Sequence, residues 1–102
     1  MTRIEAVFFD IGETLVSEGE IYFRWADWLG VPRHTFLATL GAVAATGGSS
    51  LELFTRFRPD FDLETEERRR AAAGVPNGFG PADLYPDARE CLAALRAQGL
   101  FV

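Results

Sequence analysis

Ile4-Glu5-Ala6-Val7-Phe8-Phe9-Asp10-Ile11-Gly12-Glu13-Thr14-Leu15 is the stretch on which the reading of this 102-residue chain turns. Residues 4–9 are apolar and mostly β-branched or aromatic, with Glu5 as the one interruption. A run without polar alternation reads as a strand buried on both faces, as in a parallel sheet. Asp10 stands at its C-terminal end, and Gly12 lies in the turn that follows. In α/β sheets, ligands bind beyond the carboxyl ends of the strands. A carboxylate there, followed by free backbone N–H groups, can meet a phosphate. Strand-end Asp residues also cap helices and close turns, so position alone leaves a structural role for Asp10 open beside a chemical one.

Outward from this stretch the periodicity becomes helical. Ile21, Tyr22, Trp25, Trp28 and Leu29 share one face, and Gly30 and Pro32 end that helix. Phe36, Leu37, Leu40, Val43 and Ala44 repeat the spacing up to Gly47-Gly48. Ser49-Ser50-Leu51-Glu52 is a capping box, which opens a third helix running to about Phe57, before Pro59. Residues 63–73 form a fourth pattern, with Glu64, Glu66 and Glu67 first and Arg68-Arg69-Arg70 last, as the helix dipole favours. Glu64–Arg68 and Glu66–Arg70 have the i,i+4 spacing of ion pairs. Residues 75–85, rich in Pro and Gly, read as a linker. Pro86 suits the first turn of a fifth helix reaching Gln98, with Ala88, Cys91, Leu92 and Leu95 inward. Leu100-Phe101-Val102 then begins an apolar strand.

Composition narrows the function classes. A net charge of −5 argues against a broad nucleic-acid footprint. It is compatible with a small phosphorylated substrate when a metal ion reverses the local field. The only Cys is Cys91 and the only His is His34, which excludes a disulfide within the chain and a Cys/His zinc site. No apolar run approaches the roughly 20 residues of a membrane span, and no signal-peptide pattern is present. A cytoplasmic protein without a membrane partner is expected.

The segment around Asp10 resembles the first motif of the haloacid dehalogenase (HAD) superfamily: four apolar residues, then Asp-x-Asp-Gly-Thr-Leu. The later chain is similar to that family as well. Residues 18–74 suit its inserted helical cap, and Tyr85-Pro86-Asp87-Ala88-Arg89-Glu90-Cys91-Leu92 through Gly99 suit its return helix. The resemblance implies an α/β, Rossmann-like core with a parallel sheet, incomplete in this sequence, and an inserted helical cap. The expected organisation is residues 1–17 as first strand and catalytic loop, 18–74 as cap, 75–85 as linker, and 86–102 as return helix and start of a second core strand.

The resemblance also implies a chemistry: magnesium-dependent hydrolysis of a small phosphate ester through an aspartyl-phosphate, under a cap that closes and excludes water. Asp10 matches the nucleophile and a magnesium ligand. Gly12 matches the residue whose backbone carbonyl ligates magnesium. Ile11, Gly12 and Thr14 form the phosphate-side loop, in which Thr14 is the bracing residue. Most phosphatases of the family carry Asp, a general acid and base, at the position of Gly12. Glycine cannot serve there, and loss of such a group costs about 10²–10⁴-fold in rate. Glu13 is the adjacent candidate substitute. The family's later motifs (Ser or Thr, Lys, acidic metal ligands) would fall beyond Val102, so a fragment of a longer protein is expected, inactive alone. Two other readings accompany this one. One is a HAD-like domain that binds a ligand or partner without turnover. The other is a 2-haloacid dehalogenase, which uses the Asp nucleophile without magnesium.

Other features read as structural. Asp62 in Asp60-Phe61-Asp62 fits a helix cap. Tyr22, Phe23, Trp25 and Trp28 fit core. Arg68 to Arg70 fit a solvated helix end. His34 fits the surface, and Cys91 the buried face of its helix.

Overall fold

A computed structural model describes residues 2–102. It contains five α-helices: α1 (Gly19–Leu29), α2 (Arg33–Ala45), α3 (Ser50–Phe57), α4 (Leu63–Ala72) and α5 (Ala88–Ala97), with a 3₁₀ turn at Pro81–Asp83. The chain divides into two compact units. One is Gly19–Gly78; the other combines the residues up to Glu18 with Phe79–Val102.

The helical unit is held by aromatic rings. Trp25, Ala26, Phe36, Leu53, Phe54 and Phe61 form its buried cluster, with Ile21, Tyr22, Trp28, Leu29, Val31, Leu40 and Phe57 packed around it. Phe54 and Phe61 stack at 4.5 Å between centroids, and Trp25 tilts against Phe54 at 4.8 Å. Phe36 stacks on Phe57 at 5.5 Å. Such pairs add about 0.5–1.5 kcal/mol each beyond the area they bury. Phe61 reaches this core from the turn between α3 and α4, and its neighbour Asp62 caps α4 by accepting from Thr65 N at 3.3 Å. Ser49 caps α3 by accepting from Glu52 N at 3.4 Å. Gly30 ends α1 with φ +70°, where a side chain would be strained, and this lets Val31 N return to the Ala26 carbonyl at 2.9 Å.

The second unit corrects the expected fold class. Among the described residues there is no strand and no sheet, so the chain is a small all-helical domain and not an α/β Rossmann-like one. The run before Asp10 is paired at a single parallel bridge, Ala6 with Phe101, through Val7 N to Phe101 O at 2.8 Å and Phe101 N to Glu5 O at 3.0 Å. The reason is physical. An apolar run becomes a buried strand only when other strands flank it and another layer covers it, and isolated strand pairs are marginal in water. Among the described residues, the run pairs only with the segment 100–102. Ile4, Phe8 and Phe101 accordingly remain 70%, 86% and 69% exposed.

The expected return helix begins two residues late. Pro86 and Asp87 form a turn, and α5 starts at Ala88. Ala88 is buried, but Cys91 is exposed, against its expected inward position.

Candidate active-site loop

Residues 10–18 make a tight turn organised by one carbonyl. The Ile11 oxygen accepts from Thr14 N at 3.3 Å, Leu15 N at 2.9 Å and Val16 N at 3.2 Å, and Glu13 N donates to Val16 O at 2.8 Å. Val16 is buried, which anchors the turn. The price of this compactness is a left-handed backbone at Glu13, φ +59°, the sole non-glycine positive φ among the described residues.

Glu13 is held in that conformation by its own carboxylate. Oε1 accepts from Glu18 N at 2.6 Å, and Oε2 accepts from the Tyr85 hydroxyl at 2.7 Å. The amide of Glu18, then the Tyr85 hydroxyl, holds the Glu13 carboxyl below the ordinary glutamate range. The same contact raises Tyr85 above the ordinary phenol range. With one hydrogen bond on each carboxylate oxygen, Glu13 braces the loop.

The second half of the segment read as a linker frames the loop. Val16 and Leu84 form an antiparallel bridge, Ser17 N donates to Asp83 O at 2.7 Å, and Tyr85 N donates to Leu15 O at 2.9 Å. Asp83 is buried and accepts from Gly80 N at 2.7 Å, which fixes the 3₁₀ turn that delivers Leu84 and Tyr85. Nothing in the composition of residues 75–85 signals this pairing; only the three-dimensional return of the chain creates it.

Asp10, Ile11, Gly12 and Thr14 therefore lie on one turn. Asp10 is exposed, and among the described residues no hydrogen bond or ion pair engages its carboxylate or the Gly12 carbonyl. Ile11 is 58% exposed and Thr14 is exposed. Gly12 shows a feature that the sequence does not. A Cβ built on it would meet the carboxyl group of Glu18, with Cδ at 2.9 Å and Oε1 nearer still. The carboxyl of residue 18 thus occupies the space where a side chain of residue 12 would begin. A spacing of six residues carries no sequence signal for this; the turn produces it.

Among the described residues, no group of three or more His, Cys, Asp or Glu side chains could hold a metal ion. The Asp10 carboxylate and Gly12 carbonyl are nevertheless unengaged hard oxygen donors. Magnesium commonly takes one or two carboxylates and completes its shell with waters and substrate phosphate oxygens, so this pair suits it. Of the remaining features, His34 is exposed and Asp62 is a cap. Arg70 is buried, against its expected place on a solvated helix end. Glu66 bonds to Arg58 and Arg69 where the spacing suggested Arg70. No helix among the described residues is long and apolar enough to cross a membrane. No family model, curated protein or solved structure matches the chain.

Proposed function

We propose that this chain carries the nucleophile loop of a cytoplasmic, magnesium-dependent hydrolase of small phosphate esters, of the haloacid dehalogenase kind. The observation that carries the reading is an unengaged, exposed Asp10 carboxylate on a turn where Glu18 brings a second carboxyl to Gly12.

In this reading Asp10 Oδ attacks phosphorus, the bond to the ester oxygen breaks, and an aspartyl-phosphate forms. The Glu18 carboxyl gives its proton to the departing oxygen. It then takes a proton from the water that attacks phosphorus, and the Asp10 carboxylate is released with inorganic phosphate. Glu13 and Tyr85 hold the turn in its left-handed form. Magnesium would be held by the Asp10 carboxylate and Gly12 carbonyl, and when bound it offsets the charge between two anions.

The test is hydrolysis of generic phosphate esters by the full-length protein with and without magnesium. Magnesium-dependent turnover that Asp10→Asn abolishes supports the reading. Turnover of 2-haloacids without metal replaces it with dehalogenation. No turnover of either, with a ligand still bound, replaces it with the binding role that the missing side chain at Gly12 favours.

A further inference from the structure

Two arginines of the helical unit have no part in the chemistry above. Arg70, in the last turn of α4, is 1% exposed and is the largest fully buried side chain. Its guanidinium lies over the Trp25 ring at 3.8 Å, and Nη2 donates to the Pro76 carbonyl at 3.1 Å. Its Nε and Nη1 are buried without a hydrogen-bond partner. Arg24, on α1, repeats the pattern: Nη2 donates weakly to the Gly78 carbonyl at 3.4 Å, and Nε is buried without a partner.

The two charges act on each other. Burial, then the positive charge of Arg24, draws Arg70 below the ordinary arginine value, and only Glu67 opposes them. Glu67 makes no ion pair with either arginine among the described residues. The nearby carboxylates are committed elsewhere. Glu66 takes the Trp28 indole at 2.9 Å, Arg58 at 3.1 Å and Arg69 at 3.1 Å. Asp27 takes both arms of Arg33, at 3.1 and 2.8 Å. Buried charges in proteins are ordinarily paired, and removing one partner of a buried pair is costly. Here two interacting cations leave three buried guanidinium nitrogens without a hydrogen-bond partner, and neither has an ion pair among the described residues.

Beside Arg24 is an opening. A cleft of about 340 Å³ is lined by Arg24, Asp27, Trp28 and Val75. This is the size of a small-molecule pocket. Trp28 and Val75 give it an apolar face, and Arg24 gives it the cation. We propose that this cleft binds a small organic phosphate: a dianionic head against Arg24, with Arg70 adding to the field, and an apolar body against Trp28 and Val75. A double negative charge matches two cations, and guanidinium is the group best suited to phosphate. The proposal stands on the helical unit alone and does not depend on the reading of Asp10.

The probe is phenyl phosphate, titrated into the full chain in excess chelator so that no metal-dependent turnover occurs, with tryptophan fluorescence and thermal midpoint as readouts. Saturable quenching and a raised midpoint are expected, with inorganic phosphate binding about tenfold more weakly for want of the apolar contact. Arg24→Gln weakens phenyl phosphate by at least about tenfold. Asp10→Asn leaves it unchanged. Absence of saturation, an affinity indifferent to Arg24→Gln, or loss of binding in Asp10→Asn overturns the proposal. The last result assigns the ligand to the nucleophile loop instead.

Discussion

Arg70→Met turns the buried arginine into a measurement. Methionine keeps an unbranched stem of similar length against Trp25 and removes the charge. The losses are the contact over the Trp25 face, about 2 kcal/mol when desolvated, and the bond to the Pro76 carbonyl, about 1.5–3 kcal/mol for a charged donor. Against them stands relief of two orphaned N–H donors at about 1–3 kcal/mol each. These terms nearly cancel. The sign is set by what remains, a buried charge facing the like charge of Arg24, and replacing buried ionic groups with apolar ones of similar volume gains about 1–4 kcal/mol. A gain of about 2 kcal/mol raises the midpoint of a domain this size by roughly 8–16 °C. Thermal unfolding followed by far-UV circular dichroism, in buffer without phosphate, reads it directly. Saturating phenyl phosphate then narrows the gap, because at 100 times its Kd the ligand stabilises the wild type by about 2.7 kcal/mol and Arg70→Met, which keeps Arg24 but loses part of the field, by less. A lowered midpoint for Arg70→Met in ligand-free buffer would refute the reasoning, because the arginine would then be compensated where it lies.

Phe36→Ala, at a fully buried ring packed on Tyr22, Phe54 and Phe57, is expected to cost about 3–5 kcal/mol by urea denaturation; a cost under about 1 kcal/mol means the aromatic cluster does not hold the unit. Glu13 sits below its ordinary pKa, so its stabilising effect is complete above that ordinary value, about pH 4.3, and is lost as pH falls through its lower folded value. Glu13→Gln therefore flattens the acid limb of a stability-against-pH series, and an unchanged limb counts against the brace. Glu18→Gln lowers turnover of alkyl phosphates by about 10²–10⁴-fold and of aryl phosphates, whose leaving groups need less protonation, by less. Adding Gly12→Asp to that variant restores alkyl turnover, since the glutamine end that meets the new Cβ is flexible and can swing aside. Equal losses on both ester classes would remove Glu18 from the proton transfers.

Much of the local structure was legible because it is local. The spacing of Ile21, Trp25 and Leu29, the caps at Ser49 and Asp62, and the stops at Gly30 and Gly99 are written within a few residues of one another, and helices occur there. The fold class was not legible, because residues 4–9 carry the composition of a buried strand without the neighbours that would bury it. Composition states what a segment could do with partners; pairing depends on whether they are there. Arg70 departs from expectation for a related reason: a run of three arginines on a helix end looks solvated, but at α4 one of the three lies over Trp25. In the loop, Asp10, Gly12 and Thr14 lie within five residues, so their place on one turn follows from their order. The meeting of Glu13 with Tyr85 spans 72 residues and that of Glu18 with Gly12 depends on a turn, so neither leaves a pattern in the sequence.

Trapping the covalent intermediate tests the central claim most directly. Full-length protein is mixed with a phosphate ester and magnesium, quenched in acid and digested, and the peptide containing Asp10 is weighed. One added phosphoryl group on Asp10, absent without magnesium and absent in Asp10→Asn, is the expected result. Ester hydrolysis that proceeds with Asp10 unmodified, and unchanged in Asp10→Asn, would contradict the account.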